Sequence, residues 1–128
     1  MKFLSGSKEI QRIKEVYAKR SKNPRFNQIY SLFNPGNLFI VQERERVLLE
    51  MLAEAGVRNL SELRVLDVGC GAGSELIRLI IYGAHPENLY GIDILEDRIA
   101  AARRKHPEIN WSVANAEATP FLMNLLIL

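Results

Sequence analysis

Val65-Leu66-Asp67-Val68-Gly69-Cys70-Gly71-Ala72-Gly73 runs from an apolar strand with one carboxylate near its end into a loop with glycine at every second position. Glycine has no Cβ, so such a loop turns tightly and lets a ligand approach the backbone closely. A strand that ends in a glycine-rich loop ahead of a helix is how an open α/β sheet builds a nucleotide-type pocket. These nine residues therefore direct the chain toward an α/β fold with a site at a strand end.

A second segment repeats the arrangement. Leu89-Tyr90-Gly91-Ile92-Asp93-Ile94 reads as another buried strand ending in an acid, and Asp93 lies 20 residues after Gly73, a spacing that fits one intervening helix. An acid at that position takes ribose hydroxyls in sheets of this kind. A carboxylate only accepts hydrogen bonds, so it can serve two adjacent hydroxyls. The alternative is that Asp93 merely caps the helix that follows.

The periodicity of the rest places the remaining elements. Ile10, Ile13 and Tyr17, with Val16 beside them, make an amphipathic helix over Lys8 to Arg20. Asn23-Pro24 ends it, because the residue before proline avoids helical geometry. The stretch through Tyr30 and Phe33 reads as irregular and aromatic, and Asn34-Pro35-Gly36-Asn37 as a turn. A second helix is expected over 38–55, with Val47, Leu48, Met51, Leu52 and Ala55 as its buried stripe and Gly56 as its cap. After the strand at Arg64 to Val68, a helix over 74–82 turns Leu76, Ile77, Ile80 and Ile81 inward. Strand two covers 89–94. The next helix opens with Glu96 and Asp97 and closes with Arg103, Arg104 and Lys105, which complements the helix dipole. Pro107 stops it, and Ile109 to Val113 is strand three. Alternating strands and helices argue for a parallel sheet. The expected organisation is an N-terminal helical lid or cap region over 1–60 and a partial sheet domain over 61–128.

Composition excludes several classes. No apolar run reaches 18 residues, so no spanning helix is indicated. The start is too short and too polar for a secretory signal. Cys70 is the single cysteine, which rules out an internal disulfide framework and points to the cytoplasm. Residues 1–46 hold ten Lys/Arg against four Asp/Glu, and the remainder seven against eleven. A basic front of this kind attracts nucleic acid or an anionic surface. Without aromatic interleaving it reads as a solvated helix face, and nucleic acid is not an expected partner. His85 and His106 are isolated from cysteines and paired acids, so no metal site is expected. Cys70 has no neighbouring base and is not expected to act as a nucleophile.

V-L-D-V-G-C-G-A-G resembles the first motif of the class I S-adenosylmethionine-dependent methyltransferases. The resemblance implies a Rossmann-like parallel sheet with flanking helices, preceded by N-terminal helices, and S-adenosylmethionine as cofactor. It also implies that Asp67, Gly69, Cys70, Gly71 and Ala72 line the methionine half of that cofactor, that Asp93 takes the ribose and that Ile94 packs on adenine. Trp111-Ser112-Val113-Ala114-Asn115-Ala116-Glu117 is similar to the segment after the family's third strand. Asn115 and Ala116 stand where the family usually has Asp-Ala, and an amide oxygen still accepts from the adenine amino group. Thr119-Pro120-Phe121 resembles the Leu-Pro-Phe that follows. Tyr30, in a region that folds over the cofactor in several members, would approach the methionine carboxylate, or else is a core aromatic beside Phe26 and Phe33. Arg44 and Arg46 could attract the same carboxylate.

The cofactor fits the charges. S-adenosylmethionine has no phosphate and carries an ammonium and a sulfonium, whereas Asp67 would repel a pyrophosphate bound at a helix N-terminus. The dinucleotide fingerprint also wants glycine or alanine where this chain has Ser74. The chain stops about where the fourth of seven family strands is expected, and its last eight residues hold seven apolar ones. That segment is expected to be strand four, a strand lent to a second copy, or the foreign end of a truncated or frame-shifted reading. Three readings follow. One is a methyltransferase, or its cofactor-binding portion, with a small-molecule or sugar-type acceptor. A second is a non-catalytic S-adenosylmethionine-binding or assembly module. The third is an NAD-dependent oxidoreductase.

Overall fold

The computed structural model describes residues 2–115 and 126–127. Two compact units divide the chain, Met1–Val57 and Arg58–Leu128.

The first unit is helical: α1 (Lys2–Ser21), α2 (Pro24–Ile29) and α3 (Pro35–Glu54). Two of its boundaries differ from the expectation for one shared reason. Asn23-Pro24 and Asn34-Pro35 both start helices. In each, the asparagine oxygen accepts from the backbone N–H two residues on, Arg25 and Gly36, both at 3.0 Å. Proline then takes the first helical position, where its missing N–H costs nothing. The residues expected to be irregular thus hold α2, and those expected to form a turn are the first residues of α3. Asn37 Nδ2 donates to the carbonyls of Tyr30 (2.9 Å) and Ser31 (3.2 Å), which fixes the α2–α3 connection. Arg20 lies over the Tyr17 ring and the Phe26 ring, with its guanidinium carbon 5.6 and 5.8 Å from the two centroids. The expected buried stripe of α3 is not buried: Leu52 is, whereas Val47 and Met51 are exposed.

The second unit alternates strands and helices: β1 (Val65–Val68), α4 (Ser74–Ile81), β2 (Leu89–Asp93), α5 (Glu96–Lys105), β3 (Asn110–Val113) and β4 (Leu126–Ile127). All pairings are parallel, in the order β3-β2-β1-β4. The protein is therefore an α/β fold with a Rossmann-like parallel sheet and flanking helices. Parallel neighbours require crossovers, and α4 and α5 supply them. Val65, Leu76, Leu79, Leu89 and Ile99 are fully buried between sheet and helices. Each contributes roughly 1.5–3 kcal/mol by leaving water. On α4 the inward residues are Leu76 and Leu79, three apart. Ile81, expected inward, ends the helix and is 76% exposed.

The order of the strands creates the site. From β1 the chain steps outward to β2 and β3, and β4 then pairs on the other side of β1. Such a reversal opens a crevice beyond the carboxyl ends of the strands, which is where open α/β sheets bind ligands. Asp67 lies near the carboxyl end of β1, which borders that reversal, and Asp93 at the carboxyl end of the neighbouring β2.

Candidate functional site

Strand register puts the two acids on one face. Asp67 pairs with Gly91, and Gly91 pairs with Trp111. Side chains alternate faces along a strand, and in-register neighbours share a face. Asp67, Gly91, Asp93 and Trp111 therefore lie on the same side of the sheet. Asp67 and Asp93 are its two buried charged residues among those described, 7% and 8% exposed.

They differ in their partners. Asp93 Oδ2 accepts from the Gly71 N–H, and Oδ1 from the Leu95 N–H, both at 2.9 Å. Leu95 is the N-cap of α5 and has no side-chain cap of its own. The helix-capping alternative is thus part of the structure, and the same carboxylate also pins the glycine loop. Each oxygen keeps a second lone pair. Asp67 is the reverse case. Among the described residues no N–H or O–H donates to it. Burial pushes its carboxyl up to about 6, with Glu75 and Asp93 adding repulsion. A carboxylate this far withdrawn from water, with only solvent at its oxygens, is costly to ionise. A cation beside it removes that cost, so this side chain fits the ammonium and sulfonium of S-adenosylmethionine.

The loop is a closed hydrogen-bond unit. The N–H groups of Gly69 and Cys70 donate to the Ile92 carbonyl at 2.9 and 3.0 Å, and Gly73 N–H to the Cys70 carbonyl at 2.9 Å. Gly71 N–H is held by Asp93. A pyrophosphate needs such donors to be free. Here those of Gly69, Cys70, Gly71 and Gly73 are taken up within the protein. Gly69 and Ala72 form the solvent side of the loop, and Cys70, Gly71 and Gly73 its buried side. The Cys70 thiol is pushed up to about 12 by burial and by Asp67 and Asp93, so it stays protonated.

The other expected site residues fall as follows. Ile94 is half-buried just past β2, and Asn115 half-buried just past β3. Ala116 and the Thr119-Pro120-Phe121 segment lie outside the described residues. Tyr30 belongs to the first unit, is 66% exposed, and stacks on Phe26 with centroids 6.3 Å apart. Phe33, expected beside it in a core, is 98% exposed. Arg46 is paired along its own helix with Glu43 (2.9 Å) and Glu50 (2.6 Å). His85 and His106 sit beside Glu87 and Glu108. Among the described residues no group of three or more His, Cys, Asp or Glu is arranged to hold a metal ion, and no helix is long and apolar enough to cross a membrane.

Trp111, Gly91 and Glu75 were not among the expected site residues. Trp111 is buried, and its indole lies across Gly91 and under Gly73. A Cβ on Gly91 would stand 2.5 Å from the ring, and one on Gly73 would fall within it. The signal was present in the sequence, because a glycine inside a strand marks close approach of another group. Glu75 lies in the first turn of α4, where the helix dipole favours an acid.

Residues 65–125 match the family model described as a methyltransferase domain. Over 34 residues the chain is 56% identical to the methyltransferase trt5 of Aspergillus terreus, an overlap of 27% of this chain and 12% of that one. Among solved structures, the Thermoplasma acidophilum protein 1320 matches with a TM-score of 0.45 and 25% identity, over 56% of this chain and 37% of its own. The [4+2]-cyclase SpnF matches with a TM-score of 0.45 and 28% identity, over 58% and 28%. The chain spans about an eighth of the length of the curated relative and between a quarter and two-fifths of these structures. Residues 65–125 thus carry both strand-end motifs and the match to the methyltransferase domain, which is consistent with a class I S-adenosylmethionine-dependent methyltransferase.

Proposed function

We propose that the chain binds S-adenosylmethionine at the carboxyl ends of β1 and β2 and serves methyl transfer to a small-molecule or sugar-type acceptor. The observation that carries the reading is Asp67, 7% exposed and without a donor among the described residues, on the same sheet face as Asp93. Bound there, the cofactor supplies a methyl group on a cationic sulfur. Asp67 faces its positive methionine half. The second lone pairs of Asp93 accept from the ribose hydroxyls, and the first pairs keep Gly71 and Leu95 in place. Ile94 gives adenine an apolar surface, and the Asn115 amide oxygen accepts from its amino group. Gly69, Cys70, Gly71 and Ala72 line the methionine end, with Ala116 beside adenine. A protonated Cys70 keeps the loop neutral and unreactive. The work asked of these residues is orientation, because methyl transfer from a sulfonium depends mainly on holding donor and acceptor in line.

The same reading puts the protein in the cytoplasm, with a homo-oligomer formed through the apolar C-terminal segment. Titration calorimetry with S-adenosylhomocysteine tests the binding claim, and heat of binding is expected from the intact chain. No heat at any accessible ligand concentration removes it. A transfer assay with labelled S-adenosylmethionine and pooled small-molecule extract then separates two roles. Labelled product supports the enzyme, and binding without product supports the non-catalytic module.

A further inference from the structure

We infer that Trp111 is the positioning residue of the cofactor loop: its indole, reaching from β3 across Gly91, sets the height at which the loop from Gly69 to Gly73 stands above the sheet. The inference deepens the reading above and rests on it only where a ligand is used.

Asp67, Gly91 and Trp111 occupy one rung of three neighbouring strands, with their side-chain positions on one face. Gly91 contributes no side chain to that rung. The space above it is taken from one side by the Trp111 ring and from the other by Cys70 Sγ, which lies 3.0 Å from where a Cβ would be. Gly73, at φ +84°, closes the loop directly on the same ring. Trp111 is held at its ring and at its backbone. Its Nε1–H donates to the His106 carbonyl at the end of α5 (2.8 Å), and Arg103 donates to the Trp111 carbonyl (3.0 Å). A flat, anchored ring thus forms the floor of the loop, while Asp93 holds the loop at Gly71. Both supports come from strands other than the one that carries the loop.

Hydrogen exchange on the intact chain without ligand tests the floor. The amides of Gly69, Cys70, Gly71 and Gly73 are bonded within the protein, so their exchange measures how often the loop opens. In Trp111→Leu, exchange over 69–75 is expected to speed up by about tenfold or more relative to the β1 and β2 amides, with a smaller increase in Trp111→Phe, which keeps a ring. Gly91→Ala pushes on the ring from the opposite side and is expected to loosen the same peptide. If the Leu variant does not fold, Phe and Ala carry the same comparison. Loop exchange that rises only in step with the rest of the sheet makes Trp111 a core filler and overturns the inference. In a second arm, the dissociation constant for S-adenosylhomocysteine is expected to rise about tenfold in Trp111→Leu, with a saturable change in Trp emission in the wild type. An unchanged constant in a variant with a loosened loop also overturns it. Failure of the wild type to bind removes the proposed function instead and leaves the exchange arm to decide.

Discussion

Asp67 and Asp93 show how the same residue type takes different roles from its surroundings. Asp93 has two backbone donors and Asp67 none among the described residues. Replacing Asp93 by alanine removes the proposed ribose acceptors and the Gly71 clamp together. The dissociation constant for S-adenosylhomocysteine is expected to rise roughly tenfold to a hundredfold, read by calorimetry, from one or two lost charged hydrogen bonds. Asp67 makes a prediction in pH. Its carboxyl is raised to about 6 in the folded chain, against about 3.9 when unfolded. The native state therefore binds the proton more tightly, and this group's contribution to stability falls as pH rises from 4 through 6. At pH 8, Asp67→Asn is expected to stabilise the ligand-free protein by up to about 3 kcal/mol, since each pKa unit is 1.36 kcal/mol. The melting temperature measures it. The same substitution is expected to weaken ligand binding and to flatten a wild-type loss of affinity below about pH 6, where the proton competes with the ligand's positive charge. A variant that is both more stable and a poorer binder identifies a residue kept for its ligand.

Elements in this chain begin and end for local reasons, but the same dipeptide was open to two readings. Asn-Pro signals an interruption of the preceding helix and equally the cap and first residue of the next one. Only the hydrogen bond that Gly36 N–H donates to Asn34 Oδ1 decides between them. Asn34→Ala is expected to lower stability by about 1 kcal/mol in a thermal melt, and Asn34→Asp, which keeps the acceptor, by far less. Helix α5 was legible to the residue, because acids in its first turn, bases in its last and Pro107 beyond it all point the same way. Glycines show the limit of local reasoning. Gly56 and Gly73 have nearly the same backbone, φ +85° and +84°, but a Cβ on Gly56 meets nothing within 4 Å and one on Gly73 meets the Trp111 ring. Alanine at 56 is expected to cost about 1 kcal/mol, from the left-handed backbone alone. At 73 it is expected to cost at least about 2 kcal/mol more, because a packed ring has to move. Equal losses in denaturant melts would show that the ring yields freely.

At the scale of the molecule, the arrangement of strands turns two motifs into one site. The chain passes from β1 to β2 to β3 and returns beside β1 as β4, so the switch of direction falls between β1 and β4, with the acids at the carboxyl ends of β1 and its neighbour β2. β4 is two residues long and lies at the sheet edge, with Ile127 58% exposed. An apolar edge is a template for another chain. Sedimentation velocity at rising concentration is expected to show self-association, and Ile127→Lys to reduce it. A single monomeric species throughout, with no effect of the substitution, removes the proposed homo-oligomer.

Local sequence was sufficient for the α/β class, the parallel sheet, the strand-end positions of Asp67 and Asp93 and the extent of α5. Each of these follows from alternation, chain spacing or charge order within one segment. Tertiary structure decided the rest: that Asp93 fastens the glycine loop, that Asp67 has no donor beside it among the described residues, and that Trp111 fills the space left by Gly91 beneath Gly73. Those facts depend on which side chains meet across strands distant in the chain, and a pairing of that kind leaves no periodicity in either partner.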